Sequence, residues 1–411
     1  MPKTIRVHGS IKDNRVAPEL VNERKNKKFD EVEMCNFLNG EAETKARFDF
    51  YKIRDEDPVL SHSHEFYDMT VPEKQMVLWK KVHHMYKHYK DELFLNFDPT
   101  AEPFFHWPFM IQGTLPAGMH FLMGYVAMAT LADEEQKAYW LPKLRSWEVI
   151  VCYAQTELGH GSNVAGLETT ATLDEATDEF VLHSPTITST KWWPGDMSRF
   201  SNYAIVYAQL CVGENKYGVQ PFLVQTRKRE TFEVMPNIEL GDMGPKFGYQ
   251  SKDNGWLRFD HCRIPRKQML SGFSKINKDG EFEMLGDLRA LYAVMMMVRL
   301  HIVKNAGYCL ARPVLIAVRY AIVRRQFKTQ VGSKTERKIM DYQTHMYKLG
   351  PIVARSFLMC QAGRMCSENH ARMLKLIKEK DFSTMDMHHH FLSGYKSLFT
   401  EWALKGIEDA R

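Results

Sequence analysis

The feature that most limits the possible folds is a change of hydrophobic period, which occurs twice along the chain. Residues 70–147 carry apolar side chains at helical spacing, with Met76, Trp79 and Val82 separated by three residues each. Residues 169–285 consist instead of short β-rich runs separated by turn residues, and helical spacing returns after them. Because long helices do not alternate with the strands, a doubly wound parallel sheet is disfavoured and an α+β multidomain fold is predicted.

Local signals inside these zones predict where individual elements begin. Thr70 followed by Glu73 has the pattern of a helix capping box, and Asp133 is expected to begin another helix. The middle zone is predicted to contain strands at four short runs, namely Phe180–His183, Ala204–Leu210, Phe222–Gln225 and Trp256–Phe259.

Composition excludes several classes of protein. The 411 residues carry a formal net charge of +5, with basic residues interleaved among acidic ones rather than forming the single basic face of a nucleic-acid-binding protein. A mild positive balance suits an anionic ligand such as a nucleotide or CoA. The 7 cysteines are scattered and form no Cys-x-x-Cys pair, so neither a disulfide framework nor a zinc site is expected and a reducing compartment is favoured.

The most apolar stretch, residues 104–132, is predicted to form buried helices joined by a turn. It is interrupted by His106, Gln112, Pro116 and His120, which a membrane span would not tolerate well. No membrane span is therefore expected, and the N-terminal residues lack the apolar segment of a secretory signal.

Two segments have the composition of a ligand cradle. Cys152–Asn163 carries Gly159 and Gly161 on either side of His160, and glycine lets backbone N–H groups approach an anionic or polar ligand. A plain interdomain turn is an equal alternative for this segment. Lys191–Gly195 places two tryptophans before Pro-Gly, and flat aromatic walls suit a planar ring, although a core aromatic pair is the commoner use.

Arginine-bearing helix faces provide two further candidate sites. Arg289, Tyr292, Met296 and Arg299 are spaced so that all four lie on one face of a helix, where the arginines need anionic or polar partners. Arg324 lies near the end of a predicted helix, and arginine side chains commonly bind phosphates through two parallel hydrogen bonds. The alternatives are a salt-bridged helix face for the first group and water-facing charges for Arg324.

Histidine clusters do not predict a metal centre. His62 and His64 alternate and residues 388–390 are consecutive histidines, but neither group has the helical spacing and carboxylate partner of hydrolytic zinc motifs. No metal site is expected, and the chain has no Gly-x-Ser-x-Gly nucleophile motif.

Taken together, these segments resemble the peroxisomal acyl-CoA oxidase family, which shares its fold with acyl-CoA dehydrogenases. The resemblance is dense from about Phe66 to Arg411 and rests on several motifs in the family's order. These are CYAQTELGHGSNVAGLETTATLD, FVLHSPTITSTKWWPG, GDMGPKFGY, DNGWLRFDHCRIPR, RYAIVRRQF, DYQT and GIEDAR.

The resemblance implies an α-helical domain, a β-barrel-like domain and an incomplete C-terminal helical bundle. With the polar N-terminal residues treated as an extension, the predicted divisions are 1–40, 41–150, 151–285 and 286–411.

The resemblance also assigns FAD as the cofactor and names candidate contacts for it. Thr156 is expected to hydrogen-bond the flavin edge, and Arg324 to meet FAD across a dimer interface. The full set of implied FAD contacts is Tyr153, Ala154, Gln155, Thr156, Gly161, Ser162, Gly195, Arg324, His345 and Lys348. The implied substrate contacts are Arg289, Tyr292 and Arg299.

Three departures from the family pattern are visible. His345-Met346 stands where the family has a glutamine-rich sequence. Pro313 is expected to kink or split a helix that is continuous in the family. The family's catalytic glutamate follows a Cys-Gly-Gly-His-Gly segment beyond the position matching Arg411, so no catalytic residue is assigned within the chain.

The implied activity is oxidation of acyl-CoA to trans-2-enoyl-CoA, with O2 reduced to H2O2, in peroxisomal β-oxidation. The expected partners are the acyl-CoA substrate, O2 and a second subunit, either a second copy or a related oxidase. An inactive short form that modulates a full-length oxidase and an acyl-CoA dehydrogenase are the alternatives. Peroxisomal location is implied by resemblance alone, since the chain does not end in a Ser-Lys-Leu type signal.

Overall fold

A computed structural model describes residues 16–89, 113–277, 279–287, 290–328, 331–379 and 381–411. For residues 290–294 and 378, only the backbone is described. It divides into two compact units. Unit 1 comprises Met1–Pro58 and Met296–Arg411, and unit 2 comprises Val59–Met295.

The described helices and strands follow the predicted order of helices, strands and helices. The helices are α1 (Pro18–Lys25), α2 (Glu31–Asn39), α3 (Glu41–Glu56), α4 (Val71–His88), α5 (Val126–Leu131), α6 (Glu134–Arg145), α7 (Ala290–Val323), α8 (Gln343–Lys378) and α9 (Met385–Ala410). The strands are β1 (Val151–Ala154), β2 (Thr170–Asp174), β3 (Glu179–His183), β4 (Lys191–Gly195), β5 (Tyr203–Val212), β6 (Asn215–Gln225), β7 (Ile238–Asp242), β8 (Asn254–Phe259), β9 (Cys262–Pro265), β10 (Ser274–Ile276), β11 (Phe282–Met284), β12 (Arg325–Lys328) and β13 (Glu336–Lys338). The predicted α+β fold is confirmed, and all four predicted strands are present, each longer than predicted.

Both predicted helix starts in unit 2 are confirmed. The carboxylate of Glu73 accepts a hydrogen bond from the Thr70 N–H at 2.7 Å, so the capping box at the start of α4 is formed. Asp133 caps α6 by accepting from the Gln136 N–H at 2.8 Å, while the Gln136 side chain accepts from the Asp133 N–H. These bonds satisfy backbone donors that a helix start would leave unpaired.

The described part of the apolar stretch is buried and helical. A π-helical turn at His120–Tyr125 runs directly into α5. The imidazole of His120 is fully buried, with Nδ1 accepting from the Val151 N–H and Nε2 donating to the Leu144 carbonyl, each at 3.1 Å. This one side chain therefore fixes β1 against the preceding helical layer. Residues 104–112 of the stretch lie outside the described residues.

The strands of unit 2 form two main sheets around one core. The larger sheet has the order β1-β5-β2-β3-β9, with β6 pairing the other edge of β5. The smaller sheet has the order β4-β8-β7. Pairings of β1 and β2 with β5 are parallel, and the other pairings in these two sheets are antiparallel. Buried apolar side chains from both sheets, including Phe180, Phe222 and Leu257, share the core.

Unit 1 is built from α1–α3, α8 and α9, most of α7 and the β12–β13 hairpin. The ammonium of Lys304 on α7 lies 3.3 Å from a carboxylate oxygen of Glu43 on α3, with both side chains buried. Arg364 on α8 donates to the Phe37 carbonyl at the end of α2 at 2.8 Å. Residues assigned from composition to a solvated extension thus include two helices, α1 and α2, neither of which contains a fully buried residue.

Pro313 does not split its helix, so that part of the prediction is wrong. The helix α7 runs unbroken from Ala290 to Val323 with Pro313 inside it. Proline removes one backbone N–H donor, and its ring clashes with the preceding turn. A long helix can accommodate both through a local change in backbone geometry when the rest of the helix is packed. All seven cysteines are free thiols, as expected from their spacing.

One described helix segment, Met295–Val323, is long and apolar enough to cross a membrane, judged by length and composition alone. A single helix of this kind is weak evidence, because core helices of other proteins meet the same criterion. The segment also carries Arg299, Lys304 and Arg312, and charged side chains are costly in a lipid-facing span.

Candidate functional site

The predicted cofactor segment begins inside the larger sheet and ends at the surface. Tyr153 and Ala154 are buried in β1, whereas Gln155 is half-buried and Thr156 is exposed. The chain leaves the sheet at this point because β1 pairs with β5 only as far as Ala154. The exposed side chain of Thr156 is therefore available to a ligand, as are the exposed Gly161 and Ser162 further along the loop.

This loop is held against the segment that contains the tryptophan pair. The Trp192 N–H donates to the Thr156 carbonyl at 2.9 Å, and the Leu158 N–H donates to the Thr190 carbonyl at 2.8 Å. Glu157 and Lys191 form an antiparallel bridge between these two bonds. The structure thus brings together two segments that the sequence places more than thirty residues apart, the loop after β1 and the strand β4.

A buried ion pair lies at the centre of this junction. The Lys191 ammonium is 3.0 Å from Oε1 of Glu157, and neither side chain is exposed to solvent. The ammonium also donates to the backbone carbonyls of Gln155 at 3.2 Å and Tyr207 at 2.5 Å. Its three protons thus have three acceptors, which a buried ammonium requires.

The carboxylate of Glu157 also accepts several hydrogen bonds. It accepts from the N–H groups of Glu168 at 2.8 Å and Thr169 at 3.0 Å, and from the Thr169 hydroxyl at 2.6 Å. Burial raises the pKa of Glu157, but Lys191 and these hydrogen bonds outweigh it and hold the pKa below its ordinary value. Burial lowers the pKa of Lys191 to about 8, with Glu157 opposing the shift, so both groups are charged at neutral pH.

Lys191 and Glu157 were not among the predicted site residues, although both lie in the motifs. In the sequence, each of them appears only as a charged residue inside an otherwise apolar or glycine-rich segment. That signal does not show that the two side chains meet, because their pairing depends on how the loop folds back onto β4.

The tryptophan turn is supported by a second buried ion pair. The Lys252 ammonium lies 2.5 Å from Oδ1 of Asp196, and Oδ2 of Asp196 accepts from the Met119 N–H at 3.0 Å. A Cβ added at Gly195 would lie 2.7 Å from Cγ of Met119 and 2.9 Å from Cε of Lys252. Glycine is needed at this position because the chain passes so close to these side chains.

Several exposed residues of the loop after β1 and of β4 are of the kinds that a planar polar ligand requires. Trp193 is 50% exposed, although tryptophan usually buries most of its surface. Thr156 is also exposed, and a Cβ added at Gly161 would meet no atom within 4 Å. An aromatic surface, a hydroxyl and an open glycine loop on one described unit fit an isoalloxazine ring and its polar edge.

The three remaining predicted cofactor contacts lie in unit 1 and are close to one another along its hairpin. Arg324 is exposed just before β12, and His345 and Lys348 lie in the first turns of α8. The Ile339 N–H donates to the Arg324 carbonyl at 2.9 Å, and the Tyr342 hydroxyl donates to the Gln326 carbonyl at 2.8 Å. The hairpin therefore holds Arg324 near the start of α8.

The predicted substrate contacts are only partly described. Arg289 lies outside the described residues, and for Tyr292 only the backbone, in α7, is described. Arg299 follows on the same helix, and its Nη1 atom is buried without a hydrogen-bond partner among the described residues. A buried guanidinium nitrogen without an acceptor is costly, so an anionic or carbonyl ligand is a natural partner for Arg299.

Comparison with protein-family models decides the family. Residues 30–150 match the acyl-coenzyme A oxidase N-terminal model, residues 152–262 the acyl-CoA dehydrogenase middle domain, and residues 292–411 the acyl-CoA oxidase C-alpha1 domain. The chain belongs to the acyl-CoA oxidase family. The order of the three matches agrees with the observed order of helices, strands and helices.

Curated acyl-CoA oxidases are similar to nearly all of the chain but are longer. Peroxisomal acyl-coenzyme A oxidase 1 of Rattus norvegicus is 35% identical over 395 residues, which cover 96% of this chain and 59% of the rat protein. Peroxisomal acyl-coenzyme A oxidase 1 of Arabidopsis thaliana is 43% identical over 298 residues, covering 71% of this chain and 45% of the plant protein. This acyl-CoA oxidase chain thus spans about half to three fifths of the length of these two relatives.

Solved structures of acyl-CoA oxidases have the same fold. Acyl-CoA oxidase-2 of Caenorhabditis elegans, bound with FAD, ascaroside-CoA and ATP, matches with a TM-score of 0.91 at 33% identity, covering 97% of this chain and 60% of that one. Arabidopsis thaliana acyl-CoA oxidase 1 matches with a TM-score of 0.87 at 38% identity, covering 95% of this chain and 59% of that one.

Proposed function

We propose that the chain functions as part of a FAD-dependent acyl-CoA oxidase that converts acyl-CoA and O2 to trans-2-enoyl-CoA and H2O2. The observation that carries this proposal is the junction of the loop after β1 with β4, where exposed Thr156 and half-exposed Trp193 lie on a buried scaffold. Similarity to an acyl-CoA oxidase solved with FAD and an acyl-CoA ligand supports the same conclusion.

In this proposal the junction holds the flavin. Thr156 hydrogen-bonds the ring edge, and Gly161 and Ser162 present backbone N–H groups to polar parts of the cofactor. Gly195 lets the tryptophan turn pack closely against Met119 and Lys252 beside them. Lys191 does not contact the cofactor. It keeps the Gln155 carbonyl fixed, so that the next residue, Thr156, points outward from a rigid support.

The proposed cofactor contacts in unit 1 are the basic residues Arg324, His345 and Lys348. They suit the pyrophosphate of FAD, because guanidinium and ammonium groups pair with phosphate oxygens. Arg324 is exposed in the described chain, so it is available to a cofactor held by a second subunit.

The substrate contacts proposed are Arg289, Tyr292 and Arg299, on or just before α7. The buried Nη1 atom of Arg299 supports this role, since it has no acceptor among the described residues. A phosphate of CoA or a carbonyl oxygen of the substrate would satisfy it.

Bound FAD would supply the hydride-accepting chemistry at the β carbon of the acyl group, with O2 as the oxidant that regenerates the oxidised cofactor. The residues of this chain position the cofactor and the acyl-CoA, and exclude water from the apolar acyl chain. No residue of the chain is proposed as the base that removes the α proton.

We propose a peroxisomal location and a dimeric assembly for the enzyme. The location rests on the names of the relatives, which are peroxisomal acyl-CoA oxidases. The assembly is supported by large apolar side chains exposed on α8 and α9, since exposed apolar side chains are often buried at interfaces. These include Phe357, Leu358, Phe391, Leu398 and Leu404.

The proposal is tested by incubating the purified protein with FAD and a saturated long-chain acyl-CoA in air. An oxidase-type site predicts bound flavin whose visible spectrum changes when the acyl-CoA is added, and peroxide is formed whenever turnover occurs. Reduction of ferricenium without peroxide would assign a dehydrogenase instead. Turnover only after addition of a full-length acyl-CoA oxidase, with the two proteins co-eluting, would assign a modulating partner.

A further inference from the structure

Two histidines and an aspartate meet at the edge of the larger sheet, away from the residues assigned to the flavin. His183 is the last residue of β3, and Asp260 and His261 form the turn between β8 and β9. Because β3 and β9 pair in antiparallel register with Leu182 opposite Cys262, the next pair along the two strands is His183 opposite His261. Cross-strand neighbours of this kind have side chains on the same face of the sheet.

The three side chains are close enough to share one ion. Nδ1 of His261 lies 2.8 Å from Oδ1 of Asp260, and Nδ1 of His183 lies 3.9 Å from the same oxygen. One ligand atom from each of the three residues lies within 4.8 Å of the others. The two imidazole rings are stacked with centroids 4.0 Å apart.

The Nδ1 atom of His183 gives a second, independent observation. It is buried and has no hydrogen-bond partner among the described residues, although the ring as a whole is partly exposed. A buried ring nitrogen without a partner is an uncommon and costly arrangement, and a metal ion or a proton shared with Asp260 would relieve it.

We propose that His183, Asp260 and His261 form a binding site for one first-row divalent cation of the zinc type. Two imidazole nitrogens and one carboxylate oxygen are a recognised zinc ligand set, with a fourth position open to water. Ligands bound at about 2.0–2.2 Å in a tetrahedron lie roughly 3.3–3.5 Å apart. The observed separations of 2.8 and 3.9 Å lie on either side of this value. The two rings are stacked and inclined by 25°, so they must rotate about their side-chain bonds before both nitrogens point at one ion, which the exposure of His261 and Asp260 permits.

The bound ion would act as a clip within the β domain. It would link the end of β3 to the β8–β9 turn, where the side chains of Asp260 and His261 are largely exposed. An ion that binds the folded state alone raises stability according to its concentration relative to the dissociation constant. His183 and His261 lie in the motifs FVLHSP and FDHCRIP, but only the strand register shows that they are neighbours.

The proposal is tested by calorimetric titration of ZnCl2 into the chelator-treated protein. We compare the native chain with a His183→Gln/His261→Asn double variant and with His64→Gln, a matched change at an exposed histidine in the same unit. Asparagine is chosen for position 261 because its φ of 54° is in the left-handed region, which asparagine tolerates. Other weak sites at cysteines are the same in all three proteins and cancel.

The expected result is one more Zn2+ equivalent in the native chain and in His64→Gln than in the double variant, with a dissociation constant in the micromolar range. Asp260→Asn, which changes only the ligand charge, should weaken this site at least tenfold without changing the circular dichroism spectrum. Equal zinc stoichiometry in the native and double-variant proteins would overturn the proposal, as would unchanged affinity in Asp260→Asn.

Discussion

The ammonium of Lys191 lies 3.0 Å from the carboxylate of Glu157, and both side chains are fully buried where the loop after β1 meets β4. Lys191 also binds the Gln155 carbonyl, and Glu157 binds two backbone N–H groups at Glu168 and Thr169. The pair therefore connects the loop after β1 to β4 and to the residues that lead into β2. A rigid support of this kind is what a binding loop needs in order to present Thr156 in one orientation.

Replacing Lys191 with methionine should destabilise the protein by about 3–5 kcal/mol, because the charge of Glu157 would stay buried without its partner. The measurement is urea unfolding followed by circular dichroism at pH 7. The double variant Lys191→Met/Glu157→Gln should recover a large part of the loss, since it removes the uncompensated charge. Equal stability of Lys191→Met and the native protein would contradict the assignment of a coupled buried pair.

Replacing Gly161 with alanine should leave stability unchanged while weakening FAD binding. A Cβ at this position meets no protein atom within 4 Å, so only a bound ligand would encounter it. Gly248→Ala is the matched control, because its Cβ also meets nothing within 4 Å and it is not a proposed contact. Melting temperature and flavin fluorescence titration are compared in the three proteins. If Gly161→Ala bound FAD as tightly as the control, the loop would not line the cofactor.

Acid should weaken the fold through His120. Burial lowers the pKa of His120 to about 4 from an ordinary value of 6.5. Between these pH values the unfolded chain binds a proton that the folded chain does not, so stability falls as pH decreases from 6.5 towards 4. The full effect is about 3 kcal/mol.

The measurement is the free energy of unfolding at pH 7 and pH 5. His120→Gln should be less stable than the native protein at pH 7 but lose less stability on acidification. His64→Gln, at an exposed position, should keep the native pH dependence. A native pH dependence in His120→Gln would show that another group causes the acid sensitivity.

Replacing Arg299 with methionine should weaken acyl-CoA binding without weakening FAD binding. The methionine keeps much of the apolar stem and removes a buried nitrogen that has no partner among the described residues, so the fold should lose little. Loss of a charged hydrogen bond to the ligand predicts at least a tenfold higher dissociation constant for acyl-CoA. The dissociation constant is measured from the flavin spectral change on titration with acyl-CoA. Unchanged acyl-CoA affinity would remove Arg299 from the substrate site.

Much of the fold was predictable because it depends on local patterns. The capping boxes at Thr70 and Asp133 use residues three positions apart, and each strand prediction used one short run of residues. Pro313 shows the limit of such rules, since the packing of a long helix keeps α7 continuous where the local rule predicts a break.

The candidate site was predictable in its segments but not in its supporting pairs. The motifs around Thr156 and Gly195 indicated ligand-binding loops, and the structure brings the two segments together in unit 2. The pairs Lys191–Glu157 and His183–His261 depend on strand order and register, which no single segment contains. The assignment of FAD contacts residue by residue came from the family resemblance and stays a prediction.

The proposed flavin site is tested most directly by titration of FAD into the purified protein, followed by flavin absorbance and fluorescence after removal of free cofactor. The protein should bind one FAD per chain, and its affinity for FAD should fall at least tenfold in Thr156→Val. A folded protein that retains no flavin in the presence of excess FAD would contradict the proposed site.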